Sequence, residues 1–164
     1  KRKHGMTMQF YMNPREFVED GYFISSGPYQ VYYKNGRVHF KYSSSTRTWE
    51  VSTNQIDLNE WQKIDVSWDA ERGLQVYRDD RLIGHTTYYE EHDPLIIDDY
   101  NIYIGKPSPN VQGGQSANFM IDEMEYWYAN RDYLWSQGFL TEGEYMYPVG
   151  QCDDGLVALQ ISIA

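Results

Sequence analysis

Asp122 and Glu125, within Met120-Ile121-Asp122-Glu123-Met124-Glu125, are two carboxylates whose chemistry can be weighed. Two carboxyl groups about 5–5.5 Å apart can open a glycosidic bond with retention, one attacking the sugar and the other exchanging a proton with the leaving group. Strand geometry opposes that pairing, because side chains three positions apart point to opposite faces of a sheet unless a bulge intervenes. Nucleophile-and-base chemistry has less support. Cys152 is the one cysteine and has no histidine near it, no Gly-x-Ser-x-Gly turn occurs, and His4, His39, His85 and His92 lie at no metal-ligand spacing. Gly113-Gly114 lacks the following helix and lysine of a phosphate cradle.

The elements that must position these residues are strands. Met6, Met8, Phe10 and Met12 alternate with Thr7, Gln9 and Tyr11 in an opening strand that Pro14 is expected to end. Tyr29–Tyr33 and Arg37–Tyr42 form a hairpin through Lys34-Asn35-Gly36, since Asn-Gly supplies the positive φ values of a tight turn. In its second strand Val38, Phe40 and Tyr42 face the core, and Arg37, His39 and Lys41 face water. Thr48–Ser52, Gln62–Trp68, Leu74–Arg78, Arg81–Thr87, Asn101–Gly105 and Asn118–Tyr128 continue the series. Val157, Leu159, Ile161 and Ile163 alternate in a closing strand, expected to pair beside the opening one and bring the termini together. Arg131–Gln137 is the one helical stretch, a short helix following the Asn118–Tyr128 strand. About ten short strands with frequent turns make an all-β sandwich or barrel.

A chain of 164 residues is the length of a single domain, 1–164, and its 16 Tyr and 5 Trp suit a strand-built core. The balance of 24 acidic against 14 basic residues repels phosphate backbones, which argues against nucleic acid as a partner. No run approaches the ~20 apolar residues of a membrane helix, so membrane insertion is not expected. The start at Lys1-Arg2-Lys3-His4 reads as a processed chain, a piece of a longer protein or an expression scar. Cys152 is either a buried thiol or half of a disulfide to a segment or partner outside this chain.

Taken in order, Asn59-Glu60-Trp61, Ile64-Asp65-Val66-Ser67-Trp68-Asp69, Gly73-Leu74-Gln75-Val76-Tyr77-Arg78-Asp79-Asp80, Ile102-Tyr103-Ile104-Gly105 and Phe119 to Trp127 form a longer pattern. It resembles the laminin-G-like and pentraxin-like domains of the concanavalin-A-like lectin/glucanase fold, across roughly Gly5 to Trp135. The resemblance implies a two-sheet antiparallel jelly-roll sandwich in which Trp61 and Trp68 fill the space between sheets, Gly73 relieves a turn and Asp122 accepts hydrogen bonds from a neighbouring turn. It also implies an extracellular location. Retaining glucanases of this fold carry an E-x-D-x-x-E strand. Aligned on it, Asp122 and Glu125 match the second and third acids while Met120 stands at the nucleophile position, where a thioether cannot act.

Calcium is the cofactor such a resemblance brings, held by rim carboxylates and carbonyls. The acidic cluster that pentraxins place after their "I-x-I-G" strand is replaced here by Lys106-Pro107-Ser108-Pro109, leaving Glu90, Glu91, Asp93, Asp98 and Asp99 as a substitute, with Asp93, Asp98 and Asp99 the candidate ligands. Tyr88, Tyr89 and Tyr100 on the same loop could stack on a sugar or anchor a protein. The resulting expectation is a non-catalytic recognition or adhesion module for a glycan or an extracellular protein. A structural link in a larger cell-surface or matrix assembly, joined through Cys152 or strand pairing, is the competing one, and a glucanase-like hydrolase the third.

Overall fold

The computed structural model describes residues 5–130 and the backbone of 161–163. Two sheets pack face to face, built from β1 (Gly5–Glu16), β2 (Gly21–Ser25), β3 (Tyr29–Lys34), β4 (Arg37–Ser43), β5 (Arg47–Thr53), β6 (Gln62–Asp69), β7 (Gly73–Arg78), β8 (Arg81–Thr86), β9 (Glu90–Glu91), β10 (Ile102–Ile104), β11 (Gln115–Ser116), β12 (Asn118–Trp127) and β13 (Ile161–Ile163). One sheet runs β12-β1-β6-β7-β8; the other runs β13-β10-β2-β3-β4-β5-β9, with β11 also against β2. Pairing is antiparallel except for the short β10–β13 and β11–β2 contacts. The expected helix at 131–137 and Cys152 lie outside the described residues.

Alternation in the sequence becomes the core. Met6, Met8, Phe10 and Met12 of β1, Ile64, Val66 and Trp68 of β6, and Val38 and Phe40 of β4 are all buried between the sheets. Aromatic pairs bridge the two layers: Phe23 meets Phe119 edge-on at 5.0 Å, Tyr42 lies 4.2 Å from Trp68, and Trp49 meets Trp68 at 5.1 Å. Such pairs add to the area term that drives burial.

Turn chemistry explains the hairpins. Asn35 and Gly36 adopt φ of 51° and 79° between β3 and β4, and Asp79 and Asp80 adopt 48° and 67° between β7 and β8, both two-residue turns whose twist matches the strands. The β6–β7 turn is organised by Asp69, whose Oδ1 accepts from the amides of Glu71 and Arg72 at 2.9 and 2.7 Å. Its Oδ2 accepts from Arg72 and Asn130 at 3.1 and 2.8 Å. Asp69→Ala strands these donors beside a buried position, and the expected loss is about 2–3 kcal/mol, read as a lower urea midpoint with an unchanged m-value.

Three expectations change. Pro14 does not end β1, which runs on to Glu16, because β6 stops pairing at Met12 and the missing amide is no longer needed on that side. Trp61 is not a core residue; it stands half exposed in the turn before β6. The closing segment pairs through Ile161–Ile163 with β10, in the sheet opposite β1, whose two neighbours are β12 and β6. A bulge also occurs where none was assumed. The β1–β12 register passes from Gln9↔Glu125 to Tyr11↔Asp122, so Glu123 and Met124 stand opposite Phe10 alone, with Glu123 at φ 51°.

Candidate groove on the eight-stranded sheet

The outward side chains of β4 and β5 form the floor of a cleft. Cross-strand pairing sets His39 opposite Ser52 and Lys41 opposite Glu50. The two-residue strand β9 then docks on β5, pairing Thr48 with Glu90 and Arg47 with Glu91, and raises a wall along the sheet. The result is a groove of about 470 Å³ lined by His39, Lys41, Thr48, Glu50, Ser52, Tyr88, Glu90, Glu91 and His92.

Its polar groups are held in place by one another. Glu50 Oε1 lies 2.7 Å from His39 Nδ1 and accepts from the Tyr32 hydroxyl at 3.1 Å. Tyr32 stacks on His39 at 4.9 Å and on Tyr22 at 5.0 Å, a row of rings that crosses from β2 over β3 to His39 at the groove. Burial, then the adjoining Glu50 charge, pushes the Tyr32 phenol well up, so it remains a neutral donor to that carboxylate. On the β9 side His92 Nε2 meets Thr48 Oγ1 at 2.9 Å, and Thr48 Oγ1 also contacts Ser43 Oγ at 2.8 Å. Preset donors and acceptors around a shallow groove, with the Tyr88 ring 72% exposed at its lip, suit a hydroxyl-rich ligand that offers one flat face.

Of the residues singled out in the sequence, Tyr88, Glu90 and Glu91 reach this groove. Tyr89 packs beneath the loop, 5.3 Å from Trp49, with the Arg47 guanidinium 4.3 Å over its ring. Tyr100 is half exposed elsewhere on the loop. The calcium candidates do not form a donor set. Asp99 is occupied within its own turn, accepting from the Asn101 amide at 2.8 Å and the Tyr103 hydroxyl at 2.5 Å, and those bonds, the tyrosine's first, hold its carboxyl below the usual range. Among the described residues no three His, Cys, Asp or Glu side chains are grouped to hold a metal, so Asp93, Asp98 and Asp99 do not fit a calcium ion. His39, Lys41, Thr48, Glu50, Ser52 and His92 were not singled out. The wet face of β4 was readable from alternation, but the docking of β9, two residues long, has no local signal.

The glucanase-like positions are on the other sheet. The β12 bulge turns Asp122 and Glu125 to one face, with Tyr11 and Gln9 opposite them, and Met120 faces the same way opposite Asn13. The expectation of opposite faces is thereby corrected, while the nucleophile position remains a thioether. Asp122 accepts a hydrogen bond from the amide of the next residue, Glu123, rather than from a neighbouring turn.

A laminin-G family model of the concanavalin A-like lectin/glucanases superfamily matches residues 2–132. The chain belongs to that superfamily. Its sandwich is similar to the receptor-binding domain of botulinum neurotoxin mosaic serotype C/D, with a TM-score of 0.52 at 7% identity over 82% of this chain and 37% of that one. It is similar to domains LG4-5 of the mouse laminin α1 chain, with a TM-score of 0.52 at 11% identity over 76% and 35%. The heptameric SAP-like pentraxin of Limulus polyphemus gives 0.50 at 16% identity over 87% and 73%. This superfamily member thus spans little more than a third of the first structures it matches. A search of curated proteins finds no match.

Proposed function

We propose that the chain is a single, non-catalytic laminin-G-like domain, working extracellularly, that binds a glycan in the groove between the β4–β5 face and β9. The observation that carries this reading is the groove itself: an exposed tyrosine at its lip, and hydroxyl, imidazole and carboxylate groups already fixed by mutual hydrogen bonds along its floor. Groups held before binding lose little entropy on binding, which is how a shallow site gains affinity for a sugar. Similarity to laminin LG domains and to toxin receptor-binding domains supports an extracellular setting, and one such toxin, botulinum neurotoxin type C, is described as interacting with two ganglioside molecules. The thioether at position 120 supports binding without hydrolysis.

Glycan-array screening of the whole chain tests this. Tyr88→Ala is expected to weaken the best glycan at least about tenfold, and Glu50→Ala to do the same by removing the acceptor that orients His39 and Tyr32. Unchanged affinity in both variants would overturn the assignment of the groove.

A further inference from the structure

The wall of the groove has a second side. Thr87, Tyr88, Tyr89, Glu90 and Glu91 line another, more open hollow, and three of them, Tyr88, Glu90 and Glu91, line the groove as well. The two concavities therefore adjoin along the segment that leads from β8 into β9, and that segment is a ridge between them.

The ridge is fixed to the domain along its length. The Tyr88 amide donates to Thr86 Oγ1 at 3.1 Å as the chain leaves β8. The Tyr89 ring packs against the core 5.3 Å from Trp49, with the Arg47 guanidinium 4.3 Å over it. Glu90 and Glu91 then pair with Thr48 and Arg47 of β5, and the His92 amide donates to the Thr46 carbonyl at 2.9 Å. Because Tyr89 turns in, its neighbour Tyr88 turns out, which places an exposed ring at the border of both hollows on a backbone that is already ordered. An ordered aromatic ridge loses little entropy when a sugar stacks on it.

The two sides differ in charge. The groove holds Lys41 and two imidazoles beside its carboxylates, whereas the outer hollow has hydroxyls and the Glu90 and Glu91 carboxylates with no basic side chain. Such a lining accepts hydrogen bonds from sugar hydroxyls and repels an acidic sugar. The groove itself, about 470 Å³, lies toward the lower end of small-molecule sites and suits a disaccharide, with the outer hollow as the adjoining place for a third unit.

We infer that the outer hollow is a second subsite of the groove, and that the ligand is an oligosaccharide of at least three units lying across Tyr88, with an uncharged sugar beyond the ridge. This rests on the assignment of the groove to a glycan. A unit bound beyond the ridge adds contacts without a second loss of rigid-body freedom, so affinity must grow with chain length until both sides are filled.

The test titrates the whole chain, isotope-labelled, with cello-, manno-, xylo- and malto-oligosaccharides of up to about six units. In at least one series affinity is expected to rise at least about tenfold from the disaccharide to the tetrasaccharide and then level off. The His39 and Ser52 amide resonances should move with every member that binds, and the Thr87 amide only with the longer ones. Thr87→Arg, which fills the outer hollow and pairs with its carboxylates, should abolish the gain, so that the tetrasaccharide binds the variant no better than the disaccharide binds the parent chain. Thr87 is exposed, and an amide spectrum matching that of the parent would show that the variant folds. Affinity that does not grow with length in any series, or a gain that Thr87→Arg leaves intact, overturns the subsite and leaves the groove standing. Binding by no member of any series overturns both.

Discussion

Gly73→Ala is expected to destabilise the domain by at least about 3 kcal/mol, seen as a large fall in the urea midpoint or as loss of the folded state. Gly73 opens β7 at φ 74°, where a side chain strains the backbone, and an added Cβ would lie 2.0 Å from the Thr86 carbonyl oxygen of β8. That oxygen belongs to the β7–β8 ladder, where Leu74 pairs with Thr86, so it cannot retreat without breaking sheet pairing. Gly36→Ala is the control. Gly36 has a similar φ of 79° but nothing within 4 Å of an added Cβ, so it should cost only the backbone strain. Equal losses in the two variants would show that strain, and not the β8 carbonyl, sets the effect.

Alkaline pH is expected to unfold the protein through the tyrosines between the sheets. Tyr29, Tyr42 and Tyr126 all face the core; Tyr29 and Tyr126 share a hydroxyl–hydroxyl hydrogen bond, and Tyr42 stacks on Trp68. Burial pushes Tyr42 up to about 12 from an ordinary 10.0, and raises Tyr29 and Tyr126 further. A phenol that resists ionisation in the fold but not in the unfolded chain stabilises the fold fully below pH 10. That contribution is lost as pH rises toward the folded value near 12. For Tyr42 alone the linkage amounts to about 3 kcal/mol. The check is a titration followed by phenolate absorbance and near-ultraviolet circular dichroism together. The buried tyrosines should ionise in the same step that abolishes the aromatic dichroism. Gradual ionisation of all the tyrosines without loss of dichroism would contradict this.

Alternation carried most of the fold. Ile64, Val66 and Trp68 face inward as the period-two pattern requires, and Asn35-Gly36 makes the turn its chemistry demands. Trp61 was misread because an aromatic beside a strand start looks like core, and only the tertiary position of the turn shows it at the surface. β2 was overlooked, since Gly21–Ser25 is short and one of its two neighbours, β10, lies far along the chain. The groove was half legible: Tyr88, Glu90 and Glu91 are an unusual cluster, but their partners on β4 and β5 become a wall and a floor only when β9 pairs with β5. No spacing in the chain records that contact.

The extra residue in β12 acts as a change of reading frame. Phe119 and Ile121 point inward on one side of it, and in an unbroken count of two the next inward side chains would be Glu123, Glu125 and Trp127. The inserted residue resets the parity, so that Tyr126 enters the core and Glu125 reaches the surface. Removing Glu123 would therefore delete the bulge and still leave Met124 and Tyr126 on the core side. Inserting one residue after it, with the bulge kept, would instead turn Met124 and Tyr126 outward and Glu125 inward, while leaving the composition of the chain almost unaltered.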